Sequence, residues 1–251
     1  MSPSDAEKQL QSWLKLGASP ILRQWKLQIS IEDVLRMQSA DPAKLVKRNP
    51  VFLTVAERAL GQGTSLLEPV VVYRALRVEQ LRHERLSLES DVELQAGLLA
   101  QHLGKAEFVI LAVCSIGAGV EKLAKEQFMQ DPVYSLALEG YGSAAVETLA
   151  TEFCAWVDHH AARSGMATSI PLSPGMVGWT VDEGQKQIFK ALDAASIGVQ
   201  LTDASLMLPI KTISLVLGVG AEVKAEGSTC DYCSMRERCH YRDHYLNVET
   251  I

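Results

Sequence analysis

The stretch Phe108-Val-Ile-Leu-Ala-Val-Cys-Ser-Ile-Gly117 (FVILAVCSIG) is short, apolar almost throughout and closed by a glycine. A run of this length and texture predicts a central strand with both faces covered, rather than a surface element that alternates inside and out. On either side the sequence is helical. Upstream, VELQAGLLAQHLGKA (92–106) is amphipathic and predicts a helix ending at Gly104. Downstream, GVEKLAKEQFMQ (119–130) predicts another. Then DPVYSLALEGYGSAAVETLATEFCAWVDHHAARSG (131–165) carries apolar residues every three to four positions between Asp131-Pro132 and Gly165. It predicts one long helix whose middle, with Gly140, Gly142, Ala144 and Ala145, allows close packing.

Further out, residues 1–50 read as short helices, with Ser30 as an N-cap before IEDVLRMQ and Asp41-Pro42 opening another. TVAERALGQG predicts a helix that stops at Gly61 and Gly63. From Pro69 the texture turns apolar, with Val70, Val71, Val72, Tyr73, Leu76 and Val78; HERLSLE (83–89) reads as a strand, SIPLSPGMVGWTVDEGQ (169–185) as a loop, QKQIFKALDAASIGVQLT as a helix leading into a strand, and SLMLPIKTISLVLGVGAEV as strand. The order predicts an α+β fold: a curved antiparallel sheet flanked by helices, with a helical N-terminal extension. Three regions are expected, at 1–64, 65–222 and 223–251.

The 251 residues carry 24 Lys and Arg against 30 Asp and Glu, a net charge of −6. No basic excess points to nucleic acid or an anionic membrane. No apolar run reaches bilayer length, and the polar start MSPSDAEKQLQSWLKL lacks the apolar stretch of a signal peptide. A soluble cytoplasmic protein is the expectation. No Walker loop, GxSxG or HExxH is present, and the glycines of SIGAGVEK and GVGAEVKAEG do not fit a dinucleotide fingerprint.

Three of five cysteines fall in CDYCSMRERC, as Cys230, Cys233 and Cys239, with His240 and His244 following. Close Cys-x2-Cys spacing lets two thiolates share a tight turn, and in a reducing compartment it favours metal chemistry over disulfides. An iron–sulfur cluster, taken here as 4Fe-4S, is favoured over zinc. Its fourth ligand is left open between Cys114, Cys154 and a non-cysteine group. Zinc would be completed by His240 or, at a more relaxed spacing, His244. The bland alternative is three unliganded thiols. Cys114 and Cys154 stand in apolar surroundings and read as small buried hydrophobes. The loop Ser173-Pro174-Gly175-Met176-Val177-Gly178-Trp179 exposes backbone groups before a helix, and Trp179 offers a flat apolar surface. Such loops are more often plain turns. Asp203 and Lys211 read as surface residues at strand ends, and His159-His160 as a solvated helix terminus.

Four stretches taken together, VILAVCSIGAGVEKLAKE, LALEGYGSAAVETLATEF, SIPLSPGMVGWTVDEGQKQIF and IGVQLTDASLMLPIKTISLVLGVG, resemble the activation (reactivation) domain of cobalamin-dependent methionine synthase, in order and spacing, over about residues 65–222. The resemblance implies a domain that binds S-adenosylmethionine and docks on a corrinoid-binding protein or corrinoid methyltransferase. There it supports reductive remethylation of an inactivated corrinoid. It implies cofactor contacts from Ser173, Pro174, Gly175, Met176, Gly178, Trp179 and Asp203. Pro171 stands where the family has arginine and Met176 where it has tyrosine, so weak or absent S-adenosylmethionine binding is expected. The metal ligands would be Cys230, Cys233, Cys239 and His244. The chain would then serve as an accessory or activator in corrinoid-dependent methyl transfer. The alternative is a non-catalytic scaffold with a structural zinc or cluster.

Overall fold

A computed structural model describes residues 3–38, 41–237 and 239. Helices α1 (Pro3–Leu14), α2 (Ile31–Arg36), α3 (Pro42–Arg48) and α4 (Val51–Gly63) come first, with the two-residue strand β1 (Ile21–Leu22) between the first two. The caps follow the sequence. Ser30 and Asp33 form a reciprocal capping box on α2, and Asp41 accepts from the Lys44 amide ahead of Pro42. Strands β2 (Val70–Arg82), β3 (Arg85–Leu88) and β4 (Val92–Gln95) form a meander, followed by helix α5 (Gly97–Leu103). Strand β5 (Phe108–Ser115) leads to α6 (Gly119–Gln127) and α7 (Pro132–Arg163). Strand β6 (Ala167–Thr168), helix α8 (Val181–Ala191), strands β7 (Gln200–Leu201) and β8 (Met207–Leu208), and β9 (Thr212–Gly220) complete the order.

The main sheet runs β4-β3-β2-β5-β9-β6, with β1 paired to β2 off this path. It is a curled antiparallel sheet flanked by helices, as the α+β reading expects. Strand β5 pairs β2 on one side, with Ala112 opposite Tyr73, and β9 on the other, with Ala112 opposite Leu215. All eight of its residues are buried. Phe108, Ile110, Ala112 and Cys114 enter a core with α1, α2, α4, α6 and α7. Val109, Leu111 and Val113 enter a second core with α5, α8 and the 172–179 loop. Helices on both faces explain why an antiparallel strand reads as a continuous apolar run.

The N-terminal helices share the first core. Tyr73 Oη donates to the Trp13 carbonyl at 2.5 Å and Trp13 Nε1 to Ser164 Oγ at 3.2 Å. Two sequence readings are corrected. VELQ is the strand β4 rather than the start of a helix. Its residues pair with β3, Leu94 opposite Leu86, and extend a sheet edge that β3 alone would leave bare. The 169–185 loop is shorter than expected. Thr180 caps α8 through the Glu183 amide, so VDEGQ is already helical.

Candidate functional site

Segment 169–173 runs along the β9 edge. Leu172 and Val216 exchange backbone bonds of 2.9 and 2.8 Å, and the Ser169 amide donates to the Gly218 carbonyl at 2.9 Å. The chain then closes on itself. Gly175 N donates to Trp179 O at 2.8 Å, and Gly175 and Gly178 take φ of +100° and +79°, which their missing Cβ permits. Pro174 and Trp179 press on Gly184 of α8, where a Cβ would sit 2.7 Å from Pro174 Cγ.

These contacts turn two expected ligand residues inward. Trp179 is only 1% exposed, with Nε1 donating to Gln187 Oε1 at 3.3 Å. Met176 is buried, and its sulfur accepts from the Ser173 amide at 3.4 Å. The flat surface expected of Trp179 is therefore spent on the second core. Asp203 is exposed in the β7–β8 turn, which Ser205 ties to Asp182 of α8 at 2.6 Å. Lys211, expected at the surface, is buried. Its Nζ lies 2.7 Å from Glu139 Oε2 and 3.0 Å from Ser143 Oγ.

On the opposite face a groove of about 490 Å³ runs between α7 and β9. Ile213, Leu215 and Leu217 form its floor. From α7 come Glu147, Ala150, Thr151, Cys154, Ala155 and Asp158, and one wall is Thr168 to Pro171 with Ser173. Of the expected loop residues, Ser173 alone lines it. The α7 contribution went unread in the sequence, although positions 147, 150, 151, 154, 155 and 158 share one helix face, and three of them are small. Asp158 accepts from Thr168 Oγ1 at 3.0 Å. Packing around the Cys154 thiol pushes its pKa up to about 12, with the Glu147 carboxylate adding to the rise. Cys114, wholly buried, is pushed well above its usual range, first by burial and then by Cys154 and Glu147. Cys114 is the buried core cysteine that the sequence suggested, whereas Cys154 is half-buried and lines the groove.

The cysteine turn closes one end of this region. Ala225, Ser228 and Thr229 line the groove, and the short 3₁₀ turn Thr229–Tyr232 carries Cys230, with Cys233 next. The turn is sewn to the loop: Val177 N donates to Tyr232 O at 2.9 Å, Met176 and Cys233 form a bridge, and Ser234 Oγ donates to Gly175 O at 2.6 Å. Tyr232 also stands edge-on to His102, with ring centroids 4.5 Å apart. Cys230 and Cys233 thus share a turn, and the Cys233 amide donates to the Cys230 carbonyl at 3.4 Å. Among the described residues, however, no group of three His, Cys, Asp or Glu side chains converges for a metal. Cys239 is not gathered with the other two, and His240 and His244 lie outside the described residues. Among the described residues, Cys230, Cys233 and Cys239 do not form a closed site for either a cluster or zinc.

No protein-family model and no curated protein matches the sequence. The fold does have a counterpart. The crystal structure of the MetH reactivation domain bound to AdoHcy is similar at a TM-score of 0.58 and 13% identity, over 88% of this chain and 87% of that one. The likeness lies in the fold. With 88% of the chain covered, it extends beyond the four stretches between residues 109 and 220. Among the described residues, no helix is long and apolar enough to cross a membrane.

Proposed function

We propose that this chain is an accessory protein of corrinoid-dependent methyl transfer. Its α7 groove would hold an adenosyl-type ligand, and its C-terminal cysteines would bind an iron–sulfur cluster serving reductive reactivation of a corrinoid protein. The observation that carries the reading is the docking of the Cys230–Cys233 turn on the 173–179 loop at one end of the groove. The fold likeness to a reactivation domain whose structure holds AdoHcy supports the ligand class, and the resemblance of the four stretches supports the corrinoid partner. A bound cluster would supply a low-potential electron. Cys230 and Cys233 would contribute two thiolates from one turn, and Cys239 the third.

The test is anaerobic purification followed by iron, sulfide and zinc analysis and absorption spectroscopy. Iron and sulfide with thiolate-to-iron charge-transfer bands, lost in Cys230→Ser, Cys233→Ser and Cys239→Ser, are the expected outcome. One zinc per chain without iron rejects the electron-relay role.

A second reading has its own support. The three cysteines do not converge among the described residues, and Met176 and Trp179 are used by the core. On this reading the chain is a non-catalytic scaffold, the loop is an internal strut, and any metal is structural. A corrinoid reactivation assay with the purified chain separates the two: a scaffold leaves the rate of remethylation unchanged.

A further inference from the structure

We propose a second ligand site, which the corrinoid reading does not use: the cleft between Trp25 and Trp156 binds a small, flat aromatic molecule that carries one anionic group, a phosphate or a carboxylate. The cleft lies on the other side of α7 from the groove. At about 100° per residue, position 156 faces away from the side shared by positions 147, 151, 154 and 158.

At about 450 Å³ the cleft is within the range of small-molecule sites. Trp25 and Trp156 line it together with Ile21, Leu22, Arg23 and Gln24. Both indoles are held in place by the protein itself. Trp25 Nε1 donates to the Leu22 carbonyl at 3.1 Å, and its ring stands edge-on to Phe153 with centroids 6.4 Å apart. Trp156 stacks on Phe153 at 17° and meets Trp13 edge-on, with Tyr73 and His160 also against it. Even so, both tryptophans are only half-buried, so each keeps ring surface for the cleft. Rings fixed before a ligand arrives lose little freedom when it binds, and a third flat ring can take the offset or edge-on contacts that aromatic groups favour.

The charge of the ligand follows from Arg23. Among the described residues that line the cleft it is the one charged group, and it has no ion-pair partner among the described residues. Its guanidinium presents donors in a planar fork that matches the oxygens of a carboxylate or phosphate. The Gln24 side-chain amide adds a neutral donor beside it. Glu152, one turn before Trp156 on α7, is exposed and does not line the cleft. The sequence around Arg23 reinforces the sign. From Lys8 to Ile31 there are four basic residues and no acidic one, in a chain whose net charge is −6. An aliphatic anion would leave the rings unused, and a neutral aromatic would leave the guanidinium unused.

The experiment is calorimetric titration of the full chain with four probes: 1-naphthyl phosphate, 1-naphthoate, 1-naphthol and cyclohexyl phosphate. The two naphthyl anions should bind about five-fold more tightly than 1-naphthol, a modest charge effect at an exposed arginine. They should exceed cyclohexyl phosphate by about the same factor, through the ring contacts. The tighter of the two anions tells a phosphate ligand from a carboxylate. Their advantage over 1-naphthol should narrow at high salt. In Arg23→Gln, a change at an exposed side chain, that advantage should vanish while 1-naphthol affinity holds. In Trp25→Leu, with its melting temperature checked against the parent, all three naphthyl probes should weaken by about five-fold. Failure of the naphthyl anions to bind, or 1-naphthol binding as tightly as they do, overturns the proposal. So does naphthyl binding that neither variant alters, which would place the probes elsewhere on the chain.

Discussion

Val177 donates its amide to the carbonyl of Tyr232 across 2.9 Å, fifty-five residues along the chain. Through this bond the C-terminal turn adds a partner to a loop that otherwise folds on itself. The neighbouring Met176–Cys233 bridge and the Ser234–Gly175 bond make the attachment three-fold. The loop and the cysteine turn therefore form one unit, and changes in the tail should be felt at residues 173–179.

Truncation after Lys224 removes those partners. Hydrogen exchange of the Val177 amide should then accelerate by about ten-fold or more, since a lost net hydrogen bond of roughly 1 kcal/mol is compounded by local opening. Amides of β5 should keep their protection. Mass spectrometry of a peptide spanning 173–179 reads the result. Unchanged exchange there would mean that the tail rests on the loop without stabilising it.

The same unit carries a pH dependence through His102. This ring is buried against Tyr232, and its Nε2 has no hydrogen-bond partner among the described residues. Burial lowers its pKa from 6.5, with Glu226 pulling the other way. The folded state thus favours the neutral ring. That stability is present above the unfolded value of about 6.5 and is lost as pH falls through the lower folded value. Melting temperature should decline below pH 6.5. His102→Phe, which keeps the ring contact, should flatten that part of the profile. A parallel decline in the variant would assign the dependence to another group.

Much of this architecture is legible in the sequence, and the exceptions share a cause. Strand β5 declares itself because burial on two faces leaves no polar position in its centre, and α7 because Asp131-Pro132 and Gly165 bracket a regular spacing. The four residues of β4 run straight into α5, so VELQ borrows a helical pattern that only pairing with β3 overrides. Lys211 reads as surface because its partner Glu139 lies 72 positions earlier, on α7. The groove needs α7, β9 and the tail together, and no local pattern announces such a meeting. The Cys-x2-Cys pair is visible as a motif, but whether Cys239 joins it depends on tail geometry that spacing does not encode.

Cysteine reactivity should divide by location. The high pKa of Cys154, about 12, and the still more strongly raised Cys114 leave little thiolate at pH 8. Cys230 and Cys233 are half-buried on the exterior turn. Brief treatment of the metal-free chain with iodoacetamide should label these two well before Cys114 or Cys154, by peptide mass mapping. Early labelling of Cys154 would show that the groove opens more widely than its static shape.

Lys211 offers the sharpest test of a buried charge. Its ammonium lies between Glu139 and Ser143, and its stem lies along α7 at Gly142, where a Cβ would come within 3.1 Å of Lys211 Cε. Two changes separate charge from packing. Lys211→Met keeps the stem and removes the charge, and should cost about 1–2 kcal/mol, because the partly exposed Glu139 can recover solvation. Lys211→Ala also leaves a void beside Gly142 and should cost roughly 1–2 kcal/mol more. There is a linked effect in acid. Burial pushes the Glu121 carboxyl up, but Lys125, the Ile210 amide and Lys211 outweigh it and hold the group below its usual value. This contribution is present above about pH 4.5 and is lost as pH falls through the lower folded value, so Lys211→Met should weaken the acid dependence as well. Urea unfolding of the parent and both variants at pH 7 and pH 4 measures each part. A Lys211→Met protein as stable as the parent at both values would mean that the pair contributes packing alone.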